Sequence, residues 1–130
     1  MKEAERALQL ANELHRLAVV VRDARDAITL QDLDGRTLAW NAGAERLYGW
    51  SEAEALAMNV HDRIPPDERG NAMELLRKLS NDEVLAPYRA RRLTSSGDIV
   101  AITITSTALV DANAHVYAIS TTERPFESGT

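Results

Sequence analysis

The chain has 130 residues, a formal net charge of −5, a hydrophobic share of 45% and no cysteine. That length holds one domain with at most an appended element, and the hydrophobic share is enough to fill one core. The acidic balance gives no electrostatic reason to expect nucleic acid or an anionic membrane as partner, and the missing cysteines remove disulfides, cysteine-based zinc sites and thiol chemistry.

From Lys2 to about Ala24 the sequence has no Gly or Pro and is rich in helix formers. Ala7, Leu10, Leu14, Leu17, Val21 and Ala24 follow one another at steps of 3, 4, 3, 4 and 3 residues, the a/d seam of a heptad repeat. A helix of that length extends about 33 Å, more than a cap on a small domain needs. Such a helix could lie on its own sheet. The narrow seam favours pairing with a second copy, so Ala7, Leu10, Leu14, Leu17 and Val21 are the candidate dimer-seam residues.

A hairpin follows. Ile28 and Leu30 alternate ahead of the turn residues Asp32, Asp34 and Gly35, and Thr37, Leu38 and Trp40 form the second strand. Asn41 caps a short helix that carries Leu47 and Tyr48 inward and ends at Gly49. Ser51 with Glu54 makes a capping box for a further short helix, and residues 59–64 read as irregular. Pro65 and Pro66 open a longer helix to about Leu79, with Met73, Leu75, Leu76 and Leu79 inward. Gly70 costs that helix about 1 kcal/mol relative to Ala.

Three strands close the chain, over residues 84–93, 98–110 and 114–122, separated by the turns TSSG and DANA. Ile102 and Ile104 alternate with Thr103 and Thr105, so Ser106 falls on the same side as the two isoleucines. That leaves a hydroxyl beneath the helices wanting a partner, either a neighbouring carbonyl or a polar ligand. Arg89, Arg91 and Arg92 are read as a solvated basic cluster, and RPFESGT as a polar, frayed tail.

The order of these motifs is similar to that of a PAS domain, over about residues 26–124. The matching phrases are DAITLQDLDGRTLAWNAGAERLYGWSEAEA, the IPPDERGNAMELLRKLS helix, the RARRLTSSGDIVAITIT hairpin and the closing TTER. They most resemble PAS modules of bacterial signalling proteins, including those fused to chemotaxis-type methyltransferases. The heptad helix resembles the signalling helices that join such modules to their neighbours.

The resemblance implies an α+β fold, a five-stranded antiparallel sheet with helices packed on one face, here preceded by a long N-terminal helix. The expected division is a signalling helix over 1–25, a PAS domain over 26–124 and a polar tail over 125–130. The implied function is sensing or relay in bacterial signal transduction, with a homodimer formed through the leading helix and a downstream signalling domain as partner. Two other readings stand beside it: a ligand-free docking module, and the regulatory fragment of a methyltransferase or histidine kinase.

A pocket between sheet and helices would be lined by Ile28, Leu30, Trp40, Leu47, Met58, Met73, Leu76, Ile102, Ile104, Ser106 and Tyr117. No cofactor is expected beyond an unknown small ligand, with a flavin held without an adduct as the open alternative, since it needs only a large pocket and a few hydrogen-bond donors. A flavin adduct needs a cysteine, and haem-binding relatives use a helical histidine where this chain has Met73 and Leu76. His61 reads as an exposed loop residue, and His15, His61 and His115 have no ligand spacing, so no metal is expected. No catalytic constellation is present. The longest apolar run, Leu17 to Val21, is too short to cross a membrane and the amino terminus does not look like a signal peptide, so a cytoplasmic location is expected.

Overall fold

The computed structural model describes residues 24–126 together with the single position Ala4. The heptad seam over Ala7, Leu10, Leu14, Leu17 and Val21 lies outside the described residues. The continuous described stretch starts on Ala24, followed by bends at Arg25 and Asp26.

Five strands form one antiparallel sheet: β1 (Ala27–Asp32), β2 (Thr37–Trp40), β3 (Tyr88–Leu93), β4 (Ile99–Val110) and β5 (Val116–Pro125), in the spatial order β2-β1-β5-β4-β3. The hairpins β1–β2, β3–β4 and β4–β5 are local, whereas the β1–β5 pairing joins the two ends of the domain. Between β2 and β3 run helices α1 (Ala42–Tyr48) and α2 (Glu52–Leu56), two 3-10 turns (Val60–Arg63 and Pro66–Glu68) and helix α3 (Arg69–Ser80). This is the expected α+β arrangement, with helices covering one face of the sheet.

Both short helices start where their cap residues predict. The Asn41 side chain accepts the Ala44 N–H, and α1 stops at Gly49, whose φ of 86° is the left-handed conformation that glycine adopts without penalty. Ser51 and Glu54 form the reciprocal capping box of α2. The segment read as irregular is itself ordered, since Asn59 and Asp62 make a second capping box around the first 3-10 turn.

Three boundaries differ from the sequence reading. Residues 84–87 are not strand: Val84 is fully solvated and Pro87 lacks the N–H that a ladder requires, so β3 begins at Tyr88. The prolines open a 3-10 turn, and the α-helix proper begins only at Arg69. The tail is held as far as Phe126. Arg124 and Pro125 belong to β5, Arg124 pairs with Asp26, and Phe126 donates its N–H to the Ala101 carbonyl with the Arg89 guanidinium 3.8 Å over its ring.

The core between the layers is built on Ala27, Trp40, Ala44, Tyr48, Ala55, Ile102 and Ile104. Trp40 and Tyr48 meet at 5.6 Å between ring centroids, tilted by 36°. The buried Trp40 indole donates from Nε1 to the Trp50 carbonyl at 2.9 Å, which satisfies its polar atom inside the core.

Candidate functional site

Strand alternation fixes which side chains meet the helices. On β5 these are Ile119, Thr121 and Glu123, and register carries their row onto Gln31, Thr29 and Ala27 of β1. Ile104 and Ser106 of β4 pair with Glu123 and Thr121, and Tyr88, Ala90 and Arg92 of β3 continue the same face. The helix-facing surface is therefore markedly polar in its middle.

A hydrogen-bonded chain crosses that middle. The Tyr48 hydroxyl on α1 donates to Oε1 of Glu123, and the Thr121 hydroxyl donates to Oε2 of the same carboxylate. Thr29 and Thr121 place their hydroxyls 2.5 Å apart. A threonine has one proton to give, and that of Thr121 goes to Glu123, so Thr29 donates to Thr121. Burial, then the Glu123 charge and hydrogen bond, push the Tyr48 phenol far above its ordinary range, so it stays protonated as a donor.

Two buried guanidiniums stand around this carboxylate. Arg63, only 2% exposed, lies 4.6 Å over the Trp40 ring and reaches Thr37 Oγ1 at 3.4 Å, and its Nε finds no partner among the described residues. Burial pulls the Arg63 pKa down and the Glu123 charge is the largest influence opposing it. A guanidinium still remains charged in a protein. Arg92, 8% exposed, donates from Nη1 to the Arg91 carbonyl at 2.9 Å and stands 3.8 Å from Glu68. Burial also raises the Tyr88 phenol, offset in part by its 3.1 Å bond with Ser106 and by Arg92.

Beside this network, between α3 and the sheet, is a cavity of about 50 Å³. Its apolar wall includes Ile64, Leu75, Leu76, Leu79, Ile104 and Ile119, and its polar wall Gln31, Tyr88, Arg92, Ser106, Thr121 and Glu123. Met73, Val60 and His61 complete the rim. The roof is tied to the edge strand by a clasp. Glu68 accepts the Arg91 backbone N–H at 2.8 Å and its Nε at 3.1 Å, while Asp67 takes Arg91 Nη2. The first turn ahead of α3 is thus bound to β3 by charge-assisted bonds.

Of the residues singled out from sequence, Met73, Leu76, Ile104 and Ser106 line this cavity, and Ser106 pairs with the Tyr88 hydroxyl rather than a carbonyl. Trp40 and Ile102 instead belong to the packed core, Leu47 is half-buried against it, and Met58 sits half-buried after α2 with its carbonyl bound to the Thr37 N–H. Ile28 and Leu30 must be reassigned: they pair with Thr122 and Ser120 and point to the sheet face away from the helices, because Ala27, Thr29 and Gln31 take the inward positions. Tyr117 is 53% exposed at the irregular end of the β4–β5 pairing, so it too lies outside the cavity. His61 is half-buried on the rim and not an exposed loop residue, held there by the Asn59 cap on its N–H.

Gln31, Arg63 and Glu123 are site residues that the sequence does not single out, and Arg92, expected in a solvated basic cluster, is instead buried on the cavity wall. Alternation along β5 was the available signal, since it places Glu123 in phase with Ile119. Among the described residues no group of three or more His, Asp or Glu side chains is placed to hold a metal ion, and no helix is long and apolar enough to cross a membrane.

The sequence pattern of the PAS fold matches residues 15–121. The chain belongs to the PAS family. Sensor protein FixL of Bradyrhizobium diazoefficiens is 32% identical to this PAS domain over 101 residues, which cover 78% of this chain and 17% of that protein. The chain thus spans about a sixth of the curated relative's length. The solved PAS domain from Colwellia psychrerythraea superposes with a TM-score of 0.80 at 24% identity, covering 87% of this chain and 96% of that one. A PAS domain from a two-component sensor histidine kinase gives 0.74 at 18% identity, covering 89% and 98%. At those identities the structural likeness speaks for the fold alone.

Proposed function

We propose that this PAS domain is a sensory and relay module of a bacterial signalling protein, taking a small ligand beneath α3 and passing the event on through its amino-terminal segment. The observation that carries this reading is the cavity roofed by α3 and fastened at its near end by the Asp67/Glu68–Arg91 clasp. The cavity is far below the several hundred Å³ that a flavin or haem fills, so the reading is restricted to small molecules. Likeness to a sensor protein supports a sensory role with an output domain as partner.

Removing the clasp tests the relay. In Arg91→Ala, amide hydrogen exchange over residues 66–80 is expected to accelerate roughly tenfold, the scale of losing hydrogen bonds to a charged partner. The same variant is expected to speed exchange at residues 25–28 and 119–123. Acceleration confined to α3 would break the relay reading.

The dimer belongs to the same proposal and rests on the heptad spacing of Leu14 and Leu17. The Leu14→Asp/Leu17→Asp double variant is expected to sediment as a folded monomer where the parent sediments as a dimer. An unchanged dimer would remove the leading segment from the interface.

A further inference from the structure

We infer that the cavity beneath α3 receives a short-chain aliphatic monocarboxylate, held by an ion pair to Arg92. The inference rests on the sensory reading above and names the ligand class of that site. Among the described residues three ionic side chains are buried between sheet and helices, Arg63, Arg92 and Glu123, with Glu68 at their edge shared between Arg91 and Arg92. Both oxygens of Glu123 already accept a hydroxyl proton, from Tyr48 and Thr121. Arg63 is stacked on Trp40. Arg92 is held more loosely: its ion pair with Glu68 is 3.8 Å long, and Glu68 is shared with Arg91. Among the described residues its single hydrogen bond goes to the Arg91 carbonyl, and Glu68, engaged by Arg91, stays 3.8 Å away. A buried guanidinium so placed gains from a carboxylate that reaches it bidentately.

The other walls narrow the class. Tyr88 and Ser106 share one hydrogen bond, so a hydroxyl proton remains to be offered to a ligand oxygen, and the Gln31 amide lines the same space. Ile64, Leu76, Leu79 and Ile119 suit an aliphatic tail. Glu123 lines the cavity as well, which disfavours a second negative charge. Size then sets the length. On this measure one water occupies about 10–15 Å³, so about 50 Å³ holds roughly three to five non-hydrogen atoms, which admits acetate and propionate. The ligand carboxylate would compete with Glu68 for Arg92 and so bear on the clasp that closes the roof.

Propionate is the probe, titrated into the full chain in a chloride–phosphate buffer and followed by amide NMR shifts. So few atoms limit affinity, and a Kd of roughly 0.1–10 mM is expected, with saturable shifts centred on Arg92, Ser106 and α3. Propionamide and succinate are expected to bind at least about tenfold more weakly, as is propionate to Arg92→Gln. Leu79→Phe, which fills the cavity and keeps the guanidinium, is expected to abolish the shifts. It guards against an Arg92 variant that fails to fold. Equal binding of propionamide, or full binding to Leu79→Phe, would overturn the carboxylate class or its location while leaving the relay result from Arg91→Ala intact. No saturable shift up to roughly 50 mM propionate would overturn the inference outright.

Discussion

Replacing Glu123 with alanine is expected to lower the free energy of unfolding by about 3–5 kcal/mol, the usual cost of stripping the counter-ion from a buried charge. The residue is 4% exposed, and its loss takes the opposing charge from buried Arg63 while leaving the Tyr48 and Thr121 hydroxyls without that acceptor. Urea unfolding followed by tryptophan fluorescence reads the change, because Trp40 packs on Tyr48 inside the same core. Glu123→Gln is expected to lose less, since an amide oxygen still accepts one of the two hydroxyls. Adding Arg63→Met to Glu123→Ala is expected to recover part of the loss by removing one stranded cation, with a coupling of about 0.5–3 kcal/mol in the double-mutant cycle. A Glu123→Ala variant within about 1 kcal/mol of the parent would mean that the Arg63 guanidinium does not depend on this carboxylate.

Gly43→Ala is the second large effect, and here two rules disagree in sign. Helix propensity alone favours Ala over Gly inside α1 by about 1 kcal/mol. Packing opposes it: a Cβ at Gly43 would sit 2.1 Å from the Asp26 carbonyl oxygen, 2.6 Å from its carbon and 2.7 Å from the Arg25 oxygen. Backbone atoms cannot swing aside as a flexible side chain would, so a net loss of about 2–3 kcal/mol is expected. Gly70→Ala is the control. It lies in α3 with nothing within 4 Å of its would-be Cβ, and is expected to gain about 0.5–1 kcal/mol. Thermal unfolding of the two variants should move in opposite directions. If Gly43→Ala melts above the parent, the close approach of α1 to the chain before β1 is absent.

Much of this architecture was legible because local chemistry decided it. Asn41, and Ser51 with Glu54, announce helix starts through side-chain oxygens placed to accept backbone N–H groups, and no tertiary partner is needed to read them. The alternation of Ile102, Ile104 and Ser106 located the hydroxyl under α3 for a similar reason. Ile28 and Leu30 show where such reading stops. Both faces of β1 carry apolar and polar groups, so periodicity identifies a strand without saying which side is covered. The choice is made by β5, whose Thr121 and Glu123 meet Thr29 and Ala27 under the helices.

Charged residues were harder still. Arg63, Arg92 and Glu123 come from a 3-10 turn, an edge strand and the central strand, and each alone resembles an ordinary surface residue. Only their convergence makes burial tolerable, and convergence is a property of topology. Pro87 and the solvated Val84, by contrast, carried a local signal against strand that hydrophobic content masked.

Asn41 does more than start a helix. Its Oδ1 accepts the N–H groups of both Ala44 and Ile28, and its Nδ2 donates to the Asp26 carbonyl at 2.9 Å. Arg46 of the same helix reaches the Ala24 carbonyl at 3.2 Å. The entry to the domain is therefore pinned at three successive alternate residues, 24, 26 and 28, by one helix. A joint fastened in this way resists a swivel at Asp26, so a twist applied there would bear on α1 and, through Tyr48, on the carboxylate at the centre of the sheet.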